Sequence, residues 1–389
     1  MSDKFVLSEY PYDRLNHLKR RIVEKFGEVV DLSIGTPIDP SPKGVRLAYS
    51  DLSNTEVGYP PSVGSGELLL STISWLEFVT GVKIGSDEIG SCVGTKEFIA
   101  LLPGFLKLLY PDKDTVFGPS LSYPTYRMGA ELANLKYETF DQDHVLEDLL
   151  ALDHKILKKI LCIYINSPAN PTGNIYDLTA IKDFAQENNI LLVSDECYME
   201  YNWVSEPKTI LGKDNRNVLA VHSLSKRSNA AGIRVGSYCG DKSVVGFLKE
   251  IRKHAGLMIP GPSQRAAVAA YSDYEHIKLQ RNIYKKRLEI LIKFFENLGL
   301  QADMPEGGFY LWIRLHDDPR LENITFSDTE PLDKNYETEL YLDQSWTNWI
   351  GLNTGVLVSP GSFYGPTGVN FIRIAAVAKT DRLERLLEI

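Results

Sequence analysis

The chain has 389 residues, of which 43% are hydrophobic and 24% are charged, as in an ordinary soluble globular protein that is long enough for two domains. Its formal net charge of -9 excludes a general nucleic-acid binder, because there is no basic excess to neutralise phosphates. The polar N-terminus predicts no signal peptide, and no apolar run has membrane length. The four cysteines are far apart, which favours reduced thiols in a cytoplasmic protein without a metal site.

Apolar runs of strand length alternate with amphipathic segments through much of the chain. The runs occupy residues 115–117, 160–165, 190–193 and 218–221. Alternation of this kind is typical of strands and helices that follow one another in turn. It predicts an α/β fold in which a mostly parallel central sheet lies between helices.

The sequence changes in character after about Ser272. Residues 275–296 have helical periodicity and residues 307–313 are typical of a strand, which predicts a smaller α+β domain. We therefore expect a large cofactor-binding domain over residues 48–272 and a small domain built from residues 1–47 and 273–389. The acidic, weakly periodic stretch 316–344 is predicted to be an irregular insertion or a mobile flap.

A lysine follows the last of these runs, in the segment Ser223-Leu224-Ser225-Lys226. Lys226 is thereby predicted at the carboxyl end of a buried parallel strand, where open α/β sheets bind ligands. The hydroxyls of Ser223 and Ser225 and the guanidinium of Arg234 predict a phosphate group beside it. A surface loop is the alternative for an isolated lysine, and the hydroxyls directly after a buried strand argue against it.

Asp195 follows the preceding apolar run, residues 190–193, and Tyr198 lies three positions after Asp195. A carboxylate in that position needs a partner, because burial of an unpaired charge is costly. A protonated pyridine nitrogen is a suitable partner, and Tyr198 can donate its phenol to the ring oxygen of the same cofactor. With Lys226, this predicts pyridoxal phosphate, whose aldehyde bonds to lysine. Alone, Asp195 is more typical of a cap on the following helix.

Two further turns have ligand-binding chemistry. Asn170 begins an Asn-Pro-Thr-Gly sequence, whose proline and glycine predict a rigid loop that holds the amide against a ligand; the alternative is only a tight strand-to-helix connection. The segment Gly94-Thr95-Lys96 opens a helical run, where free N–H groups bind phosphate well. An ordinary N-cap at Thr95 is compatible with that role.

In type and order, these residues resemble the class I/II aminotransferases, which are pyridoxal-phosphate enzymes of fold type I. The resemblance runs from about Leu32 to the C-terminus. It implies that Gly94, Thr95 and Lys96 form the phosphate loop and that Tyr123 stacks on the pyridine ring. It also implies that the lysine, aspartate, tyrosine, asparagine and arginine described above hold the cofactor.

The same resemblance gives roles to residues outside the cofactor motifs. Arg373 resembles the arginine that pairs with the substrate α-carboxylate through two N–H groups, where the alternative is a strand-edge arginine that extends to solvent. Gly35 resembles the N-terminal loop that closes over the substrate, and Asn170 is expected to contact the substrate as well. Tyr59 resembles the tyrosine that reaches the phosphate of the other subunit, which implies a homodimer with shared active sites.

A narrower resemblance is to the succinyldiaminopimelate aminotransferases of the actinobacterial type, and it lies in residues 30–37, 221–229, 252–256 and 360–366. It implies amino transfer between glutamate or 2-oxoglutarate and N-succinyl-2-amino-6-oxopimelate, in diaminopimelate and lysine biosynthesis. The implied mechanism is ping-pong, with Lys226 as Schiff-base partner and general acid/base. The subgroup more often has leucine and tyrosine where this chain has alanine and isoleucine, at 230 and 233.

Three alternatives remain for the function. One is a class I/II aminotransferase of other specificity, for aspartate, aromatic or branched-chain amino acids. Another is a carbon–sulfur lyase with the same cofactor, which releases pyruvate and ammonia without an oxo-acid acceptor. The third is a non-catalytic regulator that senses pyridoxal phosphate, and the acidic composition argues against its binding to DNA. An aminotransferase takes small amino and oxo acids as substrates, whereas the lyase takes an amino acid alone. None of the three alternatives requires a membrane.

Overall fold

The structure, a computed structural model, describes residues 10–51, 58–322 and 341–388. Of the predicted insertion 316–344, residues 323–340 lie outside the described residues. The strands are β1 (Val30–Asp31), β2 (Ile89–Cys92), β3 (Thr115–Pro119), β4 (Lys136–Phe140), β5 (Ile160–Asn166), β6 (Leu191–Asp195), β7 (Val218–Ser223), β8 (Gly236–Gly240), β9 (Tyr310–Arg314), β10 (Val356–Leu357), β11 (Ser359–Pro360) and β12 (Phe371–Ala375). The helices are α1 (Asn16–Phe26), α2 (Lys43–Ser50), α3 (Gly66–Thr80), α4 (Thr95–Leu109), α5 (Thr125–Leu132), α6 (Val145–Leu150), α7 (His154–Leu157), α8 (Thr179–Glu187), α9 (Leu224–Arg227), α10 (Lys242–His254), α11 (Gly261–Ser272), α12 (Glu275–Asn297), α13 (Leu342–Thr354) and α14 (Thr380–Glu384).

The largest sheet has seven strands in the order β2-β8-β7-β6-β5-β3-β4. Its strands from β7 to β4 pair in parallel, whereas β8 is antiparallel to both of its neighbours. The α/β fold with a mostly parallel central sheet is therefore confirmed. The register pairs Asp195 on β6 with Asn166 on β5 and with Val221 on β7. The carboxyl ends of these three strands consequently lie together at one edge of the sheet.

Helices cover both faces of this sheet. Along β6, Leu191 and Val193 belong to one apolar cluster and Leu192 to another, because successive side chains of a strand point to opposite faces. Side chains from α3, α8 and α11 pack into the cluster of Leu192, and side chains from α4, α5 and α10 pack into the other. Burial on both faces explains why these strands have continuous apolar sequences rather than alternating ones.

The described residues form two compact units. The larger consists of the described residues of Thr36–Lys285 together with Pro305–Phe309. The smaller consists of the described residues up to Gly35, Lys286–Met304 and the described residues from Tyr310 onward, so that α12 contributes to both. The domain bounds expected from the sequence, after residues 47 and 272, stay a prediction.

The smaller unit contains an antiparallel sheet in the order β11-β12-β9 and a parallel pair of β1 with β10. The strand expected at residues 307–313 is β9, which begins later, at Tyr310. Its start is delayed because the N–H groups of Gly307 and Gly308 bond to the carbonyls of Gly173 and Tyr201 at 2.8 and 2.7 Å. Among the described residues, none of the helices is both long and apolar enough to cross a membrane.

Candidate active site

Asp195 is the last residue of β6, and its carboxylate is buried. Its Oδ2 accepts a 2.9 Å hydrogen bond from the phenol of Tyr126, and its Oδ1 accepts one of 3.2 Å from the N–H of Cys197. Burial raises the pKa of Asp195, and the two hydrogen bonds oppose that shift. The bond from Cys197 is a local cap, as the alternative for an isolated aspartate predicted, but the bond from Tyr126 joins distant parts of the chain. A carboxylate has about four acceptor positions, so Asp195 has room for a further N–H donor.

Lys226 lies in the short helix α9, directly after β7. Its Nζ lies 5.9 Å from the centroid of the Phe309 ring. Its carbonyl oxygen accepts a 2.9 Å hydrogen bond from the phenol of Tyr201, which fixes the backbone of α9. Because β6 and β7 are adjacent and parallel, Asp195 at the end of β6 and Lys226 just after β7 lie at neighbouring strand ends, as the sequence predicted.

The phosphate loop expected at Gly94 has a built cradle. Gly94 has a φ of 78° and precedes α4, and a Cβ added there would overlap the guanidinium of Arg234. The positive φ favours glycine, and any larger residue there would displace the Arg234 guanidinium. Arg234 donates from Nη1 to the carbonyl of Ala231 at 2.9 Å and from Nη2 to that of Val93 at 3.3 Å. A cation beside the first turn of a 15-residue helix suits an anionic group.

The other predicted phosphate-loop residues lie around this turn. Lys96 Nζ is 5.6 Å from the centroid of the Tyr123 ring, so the structure brings the loop lysine and the expected stacking aromatic together. Cys197 Sγ is 3.5 Å from Thr95 Oγ1, which connects the end of β6 with the start of α4.

The two serines before Lys226 form a cap. Ser223 Oγ accepts a 3.1 Å hydrogen bond from the N–H of Ser225, and this bond begins α9. A hydroxyl that accepts in this way can still donate its own hydrogen to a ligand. The phosphate role of both serines stays a prediction.

The loop of Asn170 is bonded to the end of β6, as a rigid loop would be. Asn166 Oδ1 accepts a 2.7 Å hydrogen bond from the N–H of Asn170, and Asn166 Nδ2 donates to the carbonyl of Asp195 at 2.8 Å. On the other side of the loop, the carbonyl of Gly173 accepts from the N–H of Gly307 at 2.8 Å. A side chain at Gly173, where φ is 79°, would also meet Pro305.

Several residues of this site carry no motif in the sequence. The Phe309 ring packs edge-on against Tyr198, with centroids 5.4 Å apart, and stacks on Tyr284 at 4.5 Å. Nothing local in the sequence indicates that Phe309 lies beside Lys226. Tyr126 has only a weak signal, because it lies three positions after Tyr123 in the same short segment.

The smaller unit contains Arg373 on β12, and its side chain is only 2% exposed. Its Nη2 donates a 2.6 Å hydrogen bond to the carbonyl of Ser33, and its guanidinium carbon lies 4.4 Å and 4.7 Å from the ring centroids of Tyr310 and Tyr364. The alternative of a strand-edge arginine that extends to solvent is wrong, because the side chain is buried. A Cβ added at Gly35 would overlap the Tyr310 ring, so Gly35 and Arg373 contact the same tyrosine.

Among the predicted site residues that the structure describes, Tyr59 is highly exposed, at 91%. That exposure suits a residue that acts on another subunit. Its role stays a prediction.

The family model of class I and II aminotransferases matches residues 27–389. The chain belongs to this family. The aminotransferase is 33% identical to 4-dedimethylamino-4-oxo-anhydrotetracycline transaminase OxyQ from Streptomyces rimosus, over 97% of each chain. It is 29% identical to an LL-diaminopimelate aminotransferase from Aquifex aeolicus, over 97% of this chain and 95% of that one. A crystal structure of aminotransferase AspB from Helicobacter pylori superposes with a TM-score of 0.83 at 25% identity, over 98% of this chain and 97% of that one.

Aminotransferases of this family depend on pyridoxal phosphate, and the residues present fit that cofactor. The cradle that Gly94 leaves for Arg234 suits its phosphate, and the buried carboxylate of Asp195, bonded here to Tyr126 and Cys197, suits its ring nitrogen. Lys226 has an amine of the kind to which the cofactor aldehyde would bond.

Proposed function

We propose that this aminotransferase moves an amino group between glutamate or 2-oxoglutarate and N-succinyl-2-amino-6-oxopimelate, in diaminopimelate and lysine biosynthesis. The observation that supports the chemistry best is that Asp195 ends β6 and Lys226 follows β7, the adjacent parallel strand. The pathway is supported by the resemblance of residues 221–229 and 360–366 to succinyldiaminopimelate aminotransferases and by the similarity to a relative named as an LL-diaminopimelate aminotransferase.

Besides Lys226, four groups of this chain would hold the cofactor. The carboxylate of Asp195 would accept a hydrogen bond from the ring nitrogen and keep it protonated, and Tyr123 would stack on the ring. The first turn of α4, beginning at Thr95, and the guanidinium of Arg234 would bind the phosphate. When bound, pyridoxal phosphate supplies an aldehyde for the amino group and a ring that accepts the electrons left when the substrate α-proton departs.

Lys226 has two roles in this proposal. Its Nζ binds the cofactor between reactions, and during the reaction it takes the α-proton from the substrate and returns a proton to the product. The Phe309 ring, whose centroid is 5.9 Å from Nζ, places an apolar face beside the amine. The bond from Tyr201 to the carbonyl of Lys226 keeps α9 in place while the amine moves.

Arg373 would bind the substrate α-carboxylate through two parallel N–H bonds. The faces of Tyr310 and Tyr364 hold the guanidinium plane, and the carbonyl of Ser33 holds Nη2. An arginine fixed in this way is oriented before the substrate arrives, which reduces the entropy lost on binding.

Visible absorption of the cofactor-loaded protein tests the substrate proposal. Glutamate alone should change the cofactor band, and N-succinyl-2-amino-6-oxopimelate should restore it faster than pyruvate or oxaloacetate does. If a different oxo acid restores it best, the enzyme is an aminotransferase of other specificity and the pathway proposal is wrong. Release of pyruvate and ammonia without an acceptor would instead favour a carbon–sulfur lyase.

We also propose that the enzyme is a cytoplasmic homodimer in which Tyr59 reaches the phosphate of the other subunit. The high exposure of Tyr59 supports this arrangement. Lys226→Ala and Tyr59→Ala should each be inactive alone, whereas subunits exchanged between them should form one intact site and regain activity. A monomeric mass in solution, or no recovery after demonstrated exchange, would contradict shared active sites.

A further inference from the structure

An ion pair between a buried arginine and a partly buried glutamate lies behind the turn that precedes α4. Arg252, on α10, is 1% exposed, and it donates from Nη1 to Glu97 Oε1 at 2.8 Å and from Nη2 to Glu97 Oε2 at 3.0 Å. Two parallel bonds of this kind fix the orientation of both planar groups. Glu97 lies in the first turn of α4, so the pair connects α10 with the start of that helix.

The same carboxylate is bonded to the turn itself. Glu97 Oε2 also accepts a hydrogen bond from the N–H of Val93 at 3.2 Å. The carbonyl of Val93 in turn accepts from Arg234 Nη2 at 3.3 Å. Both backbone groups of Val93 are thus held by side chains, and Gly94, the next residue, is where Arg234 needs the space of a missing Cβ. A continuous chain of bonds runs from Arg252 to Arg234.

Aromatic rings fix the position of Arg252. Its guanidinium carbon lies 5.6 Å from the centroid of Phe98 and 5.8 Å from that of Tyr238, and these two rings stack at 4.6 Å. At the other end of α10, Asp241 Oδ1 accepts hydrogen bonds from the N–H groups of Ser243 and Val244. The anchor of the pair is therefore held by the packing of the larger unit rather than by solvent-exposed contacts.

Desolvation offsets much of the attraction within a buried ion pair, so such pairs add less to stability than their distances imply. A pair that adds little stability can still select one geometry. Here the geometry selected is that of the turn at Val93 and Gly94, because Glu97 bonds to both Arg252 and Val93.

We propose that Arg252 and Glu97 are positioning residues that set the phosphate-binding turn, and that they thereby give the enzyme its preference for a phosphorylated cofactor. Neither residue touches the cofactor in this proposal; each acts through Val93 and Arg234. The inference rests on the proposed location of the cofactor phosphate at Thr95 and Arg234. The two residues should therefore affect the affinity only for a ligand that carries the phosphate, because only that ligand contacts the turn.

The test compares two ligands on the cofactor-free protein: pyridoxal phosphate and pyridoxal, which lacks the phosphate. Arg252→Met and Glu97→Gln should each raise the dissociation constant of pyridoxal phosphate by about tenfold or more. The dissociation constant of pyridoxal should change by less than about twofold. Lys253→Met is the matched control, since Lys253 lies next on α10 and forms an exposed pair with Glu250 at 3.0 Å; it should change neither constant.

The outcomes separate the inference from the phosphate site on which it rests. Arg234→Met removes the proposed phosphate ligand. Of all the variants, it should bring the ratio of the dissociation constants of pyridoxal and pyridoxal phosphate closest to unity. If Arg234→Met alone abolishes the preference for the phosphorylated ligand, the phosphate site stands and the positioning role is wrong. If no variant alters that preference, both are wrong. Should Arg252→Met fail to fold by circular dichroism, Glu97→Gln, which keeps the shape of the side chain, decides the question.

Discussion

Each unit of the molecule contains a buried charged side chain with a role in the proposed reaction: Asp195 in the larger unit and Arg373 in the smaller. The two side chains differ in the groups that surround them. In the larger unit, Asp195 accepts hydrogen bonds from the neutral donors of Tyr126 and Cys197, and burial raises its pKa. In the smaller unit, Arg373 donates to the carbonyl of Ser33 and lies against tyrosine faces. An arginine keeps its proton in a protein, whereas a carboxylate can take one up.

This difference indicates two kinds of ligand partner. The charge of Asp195 depends on what binds beside it, because a protonated ring nitrogen favours the ionised carboxylate and lowers its pKa again. The charge of Arg373 is permanent, which suits an anchor for the carboxylate that every amino-acid substrate carries. Variants at the two positions should therefore fail in different ways.

Lys226→Ala should have the largest effect, because it removes both the amine that binds the cofactor and the group that moves the proton. Turnover of glutamate with any oxo acid should fall by about 10⁴-fold or more, while the cofactor still binds non-covalently. The matched control is Lys253→Ala, an exposed lysine that should keep wild-type turnover. Retained turnover in Lys226→Ala would show that another lysine acts.

Asp195→Asn should lower turnover by about 10² to 10⁴-fold, because an amide cannot keep the ring nitrogen protonated. It should also weaken cofactor binding, measured by titration of the cofactor-free protein. Asp214→Asn, at an exposed aspartate paired with Arg216, serves as the control. Normal cofactor affinity and turnover in Asp195→Asn would remove Asp195 from the site.

Arg373→Lys should lower kcat/KM for glutamate by about ten- to a hundredfold, because lysine lacks the two parallel donors. Unlike Asp195→Asn, it should leave cofactor affinity unchanged, and this contrast tests the comparison between the two units. Arg382→Lys, at an arginine of the smaller unit paired with Glu28, is the control. A loss of cofactor affinity in Arg373→Lys would contradict a role confined to substrate.

Tyr126→Phe should have the smallest effect. The phenol stabilises the ionised form of Asp195, so its removal should raise the pKa of Asp195 further. If the ionised carboxylate binds the cofactor as proposed, affinity should rise with pH through that pKa, and the rise should move to higher pH in the variant. Titrations of the cofactor-free protein with cofactor, between about pH 5 and 8, where most proteins are stable, measure this shift. An unchanged profile would mean that the bond does not act on Asp195.

Much of the site could be predicted because its chemistry lies in short local segments after buried strands. Asp195 and Lys226 each follow an apolar run, and parallel strands bring their carboxyl ends to the same edge of the sheet. That rule alone places the two residues near each other.

The contacts that complete the site could not be predicted, because they join residues far apart in the chain. Tyr126 bonds to Asp195 across 69 positions, and Glu97 bonds to Arg252 across 155. Such pairs depend on which helix packs against which strand, and no local pattern specifies that. The strand predicted at residues 307–313 begins only at Tyr310, for a related reason. Gly307 bonds instead to the distant loop of Gly173.

The central claim is that Lys226 is the lysine to which the cofactor bonds. Borohydride reduction of the cofactor-loaded enzyme fixes the cofactor on its lysine, and mass spectrometry of the peptides then identifies that residue. We expect the added mass on the peptide that contains Lys226 and, after prior incubation with glutamate, its loss from that peptide. A modification on Lys96 or any other lysine, with the Lys226 peptide unmodified, would contradict the account.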